Sequence, residues 1–186
     1  MKKTVLTFGL ISGGLMSLMM LATLPFNEQI GFDYGMVIGY TTIVLSFMLV
    51  FFGIRSYRDN VGGGEITFGR AVAVGILITL IASLCYVGTW EVLYFNFMPD
   101  FAEKFTKYAV DKVIASGAST EVINAKLQEM KDLKVMLDNP LINAAVSFTE
   151  PFPIGLIVTL ISATILRTKR KSADGNERIG EPLTSS

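Results

Sequence analysis

Four stretches of the chain carry no ionisable Asp, Glu, Lys or Arg and are strongly apolar: residues 4–26, 34–54, 71–90 and 151–166. A helix that faces water on one side repeats polar residues at a period of 3.6, and these runs lack that polar face. At 1.5 Å per residue, a run of about 20 residues matches the roughly 30 Å hydrocarbon core of a bilayer. The pattern predicts four transmembrane helices, over about residues 4–24, 34–54, 68–92 and 145–166. Pro25 closes the first, because proline lacks the amide that continues a helix. Lys2 and Lys3 precede that first run. It exceeds the roughly 7–15 apolar residues of a secretory signal, and no A-x-A-like site follows. It is expected to stay as an uncleaved span.

The pattern changes between the third and fourth runs. Apolar residues recur at Phe101, Ala102, Phe105, Tyr108, Ala109 and Val113, with charges on the opposite side. That is helical periodicity in an amphipathic segment. A second such segment has Ile123, Leu127, Met130 and Leu137 on one side and closes at Asn139-Pro140. Gly117 between them suits a helix C-terminal stop. Residues 99–139 are therefore expected to form an amphipathic helical hairpin outside the cytoplasm. Residues 172–186, poor in apolar side chains, are expected to be a disordered cytoplasmic tail. The fold class is all-α: a polytopic membrane domain over residues 1–171, four spans in a bundle with the hairpin on its outer end.

Composition agrees, with 51% hydrophobic and 17% charged residues, against about 25% charged in an average globular domain. Charge placement adds direction. Lys2 and Lys3, then Arg55, Arg58 and Arg70, then Arg167, Lys169, Arg170 and Lys171 flank the runs at alternate ends. The first loop has Glu28 and Asp33 and no cation. Lysine and arginine near span ends stay in the cytoplasm. The expectation is a multi-pass protein of the bacterial inner membrane with both termini cytoplasmic. Trp90, Tyr94 and Phe95 then fall at the outer interface, where aromatic side chains gather.

The residue inventory narrows the chemistry. There is no histidine and a single cysteine, Cys85. This removes histidine bases, the serine–histidine triad, intrachain disulfides and cysteine metal clusters. Gly62-Gly63-Gly64 lacks the Gly-Lys-Ser/Thr of a phosphate loop and reads as a flexible link. No catalytic, cofactor-binding or metal-binding residue is expected, and nucleic acid is not an expected partner.

Two features remain. Small residues recur at four-residue steps: Gly9 and Gly13, Gly35 and Gly39, Gly75 with Thr79, and Gly155 with Thr159. Such stripes let helix backbones approach in lipid. Glu91 and Glu150 are the carboxylates nearest membrane depth, and intramembrane carboxylates are functional candidates by default. They read either as solvated groups at helix ends or as a shared acidic site. Around Glu150-Pro151-Phe152-Pro153, two readings stand. A short fourth span starts at Pro151, or one longer helix kinks there.

The segments Arg55-Ser56-Tyr57-Arg58-Asp59-Asn60 and Gly64-Glu65-Ile66-Thr67-Phe68-Gly69-Arg70-Ala71, then Met98-Pro99-Asp100-Phe101, carry a resemblance. Over about residues 1–170 the chain resembles the bacterial membrane-protein family catalogued as domain of unknown function 4199. The resemblance implies a four-span inner-membrane protein and carries no activity or site residue. Within the link, Ile66 and Phe68 are expected to anchor at the cytoplasmic interface, with Arg70 reaching phosphates.

Function is expected to be non-enzymatic: a scaffold or partner-binding protein, with the lipid bilayer and a second copy or another membrane protein as partners. The alternative is a small transporter or channel component using Glu91 and Glu150.

Overall fold

A computed structural model of the protein describes residues 1–168. Within them the chain is all-α. The helices are α1 (Lys2–Thr23), α2 (Asn27–Asn60), α3 (Phe68–Asn96), α4 (Phe101–Ala115), α5 (Thr120–Leu137), α6 (Pro140–Phe148) and α7 (Pro151–Leu166). Three helical stretches are long and apolar enough to cross a membrane: Lys2–Asn60, Phe68–Asn96 and Pro140–Leu166. The expectations for Lys169, Arg170, Lys171 and the tail 172–186 fall outside the described residues.

The first stretch doubles back on itself. A 3-10 turn, Leu24–Phe26, joins α1 to α2. The loop expected over residues 26–33 is mostly helical, and the chain breaks instead at Gly31, with φ 69° and ψ 171°. That conformation is essentially reserved for glycine, so the reversal depends on this residue. After it α2 runs against α1: the Phe8 ring lies where a Cβ on Gly53 would point, and Ser12 Oγ donates to Ser46 O at 2.8 Å.

Two more helices complete the bundle. α3 runs parallel to α1, pairing Gly9 with Ile81 and Gly13 with Cys85. α7 runs against α3, pairing Gly75 with Thr159 and Gly155 with Thr79. The helices α1, α2, α3 and α7 thus alternate in direction.

This bundle is inverted relative to a water-soluble one. Ser12, Ser46, Thr79, Ser83, Thr159 and Ser162 are buried between helices. Leu10, Leu18, Leu84, Ile157 and Ile165 point outward, with Leu18 and Leu84 each 63% exposed. In water, large apolar side chains turned outward would forfeit about 1.5–3 kcal/mol each. In hydrocarbon they cost nothing, and small residues inside permit close backbone contact. Phe47, Val50, Ile54, Val74 and Ile78 fill the remaining centre.

The end of the bundle holding Met1 and Leu166 is closed by the α2–α3 link. Arg55 to Asn60, expected in the link, continue α2, and Tyr57 is buried there. Thr67 caps α3 by accepting from the Arg70 amide. Ile66 corrects an expectation: it is buried in the core rather than anchored in an interface, whereas Phe68 is exposed. Its backbone also exchanges hydrogen bonds with Thr168. The Ile66 amide donates to Thr168 Oγ1 at 2.9 Å, and the Thr168 amide donates to Ile66 O at 3.0 Å. The link and the end of α7 are thereby clasped together.

Candidate functional site

The opposite end of the bundle carries most of the side-chain chemistry. There α4 and α5 form the hairpin that the periodicity predicts. Gly117 turns it with φ 74°, and Ser119 caps α5 by accepting from the Val122 amide. Lys134 pairs with Glu103 across the two helices at 2.8 Å.

The hairpin docks on the bundle through α4. Phe32, one residue past the Gly31 break, meets Phe101 and Phe105 edge to face, with centroids at 5.8 and 5.5 Å, and Tyr108 at 5.0 Å. Trp90 meets Phe101 edge to face at 5.1 Å. Such aromatic pairs contribute about 0.5–1.5 kcal/mol beyond the area they bury.

Charges frame this seam. Lys104 sits 2.9 Å from both Glu28 and Asp100. Lys112 reaches Asp33 at 2.8 Å, and the Tyr108 hydroxyl donates to the same oxygen. Hydrogen bonds to Glu28 and then Asp100 hold Lys104 above its ordinary range, and bonds to Asp33 and then Tyr108 do the same for Lys112. Lys104 in turn holds Asp100 below the usual carboxylate range. Between α4 and the α1–α2 turn lies a groove of about 930 Å³, lined by Phe32, Met98 and Phe101 together with Glu28, Lys107 and Asp111.

A polar lattice secures the far end of α3. Trp90 Nε1 donates to Asn143 Oδ1 at 2.9 Å, Ser147 Oγ donates to the same oxygen at 3.2 Å, and Asn143 Nδ2 donates to Leu137 O at 3.0 Å. Residues 141–148 read as plain apolar sequence. Yet α6 turns Asn143 and Ser147 inward and leaves Leu141, Ile142 and Val146 outside. The signal for this was present in the four-residue spacing of Asn143 and Ser147.

The two candidate carboxylates have different surroundings. Glu150 lies between α6 and α7. α6 ends at Phe148 and α7 begins at Pro151, yet Thr149 and Glu150 keep right-handed helical dihedrals and residues 140–166 form one apolar helical stretch, so the junction has features of both readings. Glu150 does not cap α7 with its side chain. Instead Glu150 Oε2 accepts from the Tyr86 hydroxyl at 2.6 Å. Glu91 follows Tyr86 by five residues, about 140° further round α3 at 100° per residue. Its Oε1 is enclosed without a hydrogen-bond partner. Among the described residues no hydrogen bond links the two carboxylates, and no group of three His, Cys, Asp or Glu residues could hold a metal ion.

The glycine stripes divide similarly. A Cβ on Gly9, Gly13, Gly75 or Gly155 would meet another helix, at 2.8 Å from Ile81 Cβ for Gly9 and 2.6 Å from Cys85 Cβ for Gly13. Gly35 and Gly39 have nothing within 4 Å, so the stripe expected on that helix makes no contact here. The close approach on α2 is at Gly53, which sequence spacing did not mark; its Cβ would lie 2.5 Å from Ile78 Cδ1.

Comparison with known proteins adds one family. A family model described as "Protein of unknown function (DUF4199)" matches residues 7–168. No curated protein and no solved structure matches the chain.

Proposed function

The chain belongs to this family of unknown function, and on that premise we propose that it is a non-enzymatic, four-span protein of the bacterial inner membrane that binds a membrane-protein partner on its extracytoplasmic side. In this reading α1, α2, α3 and the α6–α7 pair cross the bilayer, both termini are cytoplasmic, and the α4–α5 hairpin lies outside. The inverted packing of the bundle and the cations at its Met1 end support that orientation.

One observation carries the binding role. The hairpin is fixed to the bundle by the Phe32 cluster and by Lys104 and Lys112, and it frames a groove beside the α1–α2 turn. A pre-formed surface loses little conformational freedom on binding. Its lining carries both signs of charge, Glu28 and Asp111 with Lys107, which suits a polypeptide segment of mixed charge. The groove reaches Leu24 and Pro25 at the end of the first apolar run, so a segment anchored in the same membrane reaches it at high effective concentration.

The test is a photo-crosslinking residue at Met98 or Ala115, both in the groove wall, compared with one at the outward-facing Leu84. Illumination of intact cells is expected to give a single protein adduct of defined mass from the groove positions and none from Leu84. Only uncrosslinked monomer from all three positions would refute the reading.

The transporter alternative draws on the Tyr86–Glu150 bond at a broken helix, a feature of many transporter sites. It predicts proton- or cation-dependent flux in liposomes that Glu150→Gln abolishes. The separate settings of Glu91 and Glu150 make it the weaker of the two.

A further inference from the structure

Glu150, like Glu91, is a carboxylate with no ion-pair partner among the described residues. Glu28, Asp33, Asp59, Asp100, Glu103 and Glu129 each sit against a lysine or arginine nitrogen. Among the described residues Glu150 has no such partner, and Pro140–Leu166 contains no other charged residue. Its side chain is exposed, and its hydrogen-bond partner is the Tyr86 hydroxyl. A carboxylate offers about four acceptor positions, so most of its capacity is open.

The surroundings of that open side are apolar. Glu150, Ile157 and Ile161 follow one another at steps of seven and four residues from the start of α7, which keeps them on one side of that helix. Ile157 and Ile161 are both exposed. Glu150 stands about 24 Å along the axis from Leu166, close below the outer limit of a roughly 30 Å hydrocarbon core. An anionic point near headgroup depth thus sits directly above an apolar track running toward the membrane centre.

We propose that Glu150 and the Tyr86 hydroxyl form a lateral site for the primary ammonium headgroup of an aminophospholipid, whose acyl chain lies along Ile157 and Ile161. The ammonium supplies the counter-charge that the protein does not, and its three donors match the open carboxylate positions. An anionic headgroup is repelled by the same carboxylate, so the site discriminates by charge.

Trp90 reports on the site. It is the only tryptophan, and it follows Tyr86 by four residues, on the same face of α3 about 6 Å further along. The protein is reconstituted in vesicles of phosphatidylglycerol with equal small fractions of brominated phosphatidylethanolamine or brominated phosphatidylglycerol, and Trp90 fluorescence is quenched. We expect phosphatidylethanolamine to occupy the quenching position about threefold better than phosphatidylglycerol, the scale of an exposed ion pair. Glu150→Gln is expected to bring the ratio to one with helicity unchanged by circular dichroism, and Glu91→Gln to leave it as in the wild type. Equal quenching by both lipids in the wild type, or a preference that survives Glu150→Gln, overturns the proposal. Loss of the preference in Glu91→Gln assigns it elsewhere and overturns it equally.

Discussion

The indole nitrogen of Trp90 donates to Asn143 Oδ1 at 2.9 Å, and this bond ties the end of α3 to α6. Asn143 also accepts from Ser147 and donates to Leu137 O, and it is fully buried. Asn143→Ala is therefore expected to leave three polar groups unmatched. Side-chain hydrogen bonds within a membrane bundle contribute up to roughly 1–2 kcal/mol each, and the loss is expected to total about 2 kcal/mol. Thermal unfolding in detergent measures it, and Trp90 emission should change in the folded state as the indole loses its acceptor.

Close helix contacts give a graded series. A Cβ on Gly13 would lie 2.6 Å from Cys85 Cβ and 3.1 Å from Ala82 Cα, atoms that cannot swing aside. On Gly155 it would press on Thr79 and lie 2.8 Å from Phe47 Cζ, in a ring that is fully buried. Gly13→Ala and Gly155→Ala are expected to destabilise by about 1–3 kcal/mol, the usual range for overpacking. Gly39→Ala, with open space around it, is expected to be neutral or to stabilise by up to about 1 kcal/mol through helix propensity. Unfolding midpoints of the three variants should separate into two classes.

The docked hairpin has a pH range. Asp100 titrates below its ordinary 3.8 because Lys104 bonds its charged form. A depressed folded pKa gives stabilisation that is complete above 3.8 and lost as pH falls through the lower folded value. Lys104 and Lys112 titrate above their ordinary 10.5, so their contribution is complete below 10.5 and lost only as pH rises past it. Hydrogen-exchange protection of α4, corrected for intrinsic exchange, is expected to stay constant between about pH 5 and 9 and to fall below about pH 4. A marked fall between pH 5 and 7 would show that other groups hold the hairpin.

Lys112 and Asp33 lend themselves to a charge exchange. Lys112→Glu places like charges together and is expected to reduce protection of α4, and adding Asp33→Lys is expected to restore much of it. Both groups are exposed, so salt should weaken the difference. An unchanged double variant would assign docking to the aromatic seam alone.

The apolar runs made the helices legible because a membrane span needs continuous apolar sequence, a local property. The inward faces of α4 and α5 were legible for the same reason: Phe101, Phe105, Met130 and Leu137 keep helical spacing and are at least partly buried. What the sequence concealed is tertiary. Gly35 and Gly53 look alike in sequence, and only the direction of α2 after Gly31 decides which one meets a neighbour. Phe32 and Asp33 read as loop residues until α4 folds over them. Ile66 reads as an interfacial anchor because its bond to Thr168 spans 102 positions. Asn143 and Ser147 read as part of an apolar run because their four-residue spacing lies within it. For Glu150 and Glu91 the depth was legible from spacing, whereas the surroundings, the Tyr86 hydroxyl on Glu150 and an enclosed Oε1 on Glu91, depend on how the helices pack.

Side of the membrane is the property on which the account rests. With Cys85 replaced by alanine, a cysteine at Thr120, the exposed first residue of α5, is treated in intact spheroplasts with a membrane-impermeant maleimide. Rapid labelling is expected before any permeabilisation. Labelling that appears only once the membrane is opened would place the hairpin in the cytoplasm and contradict it.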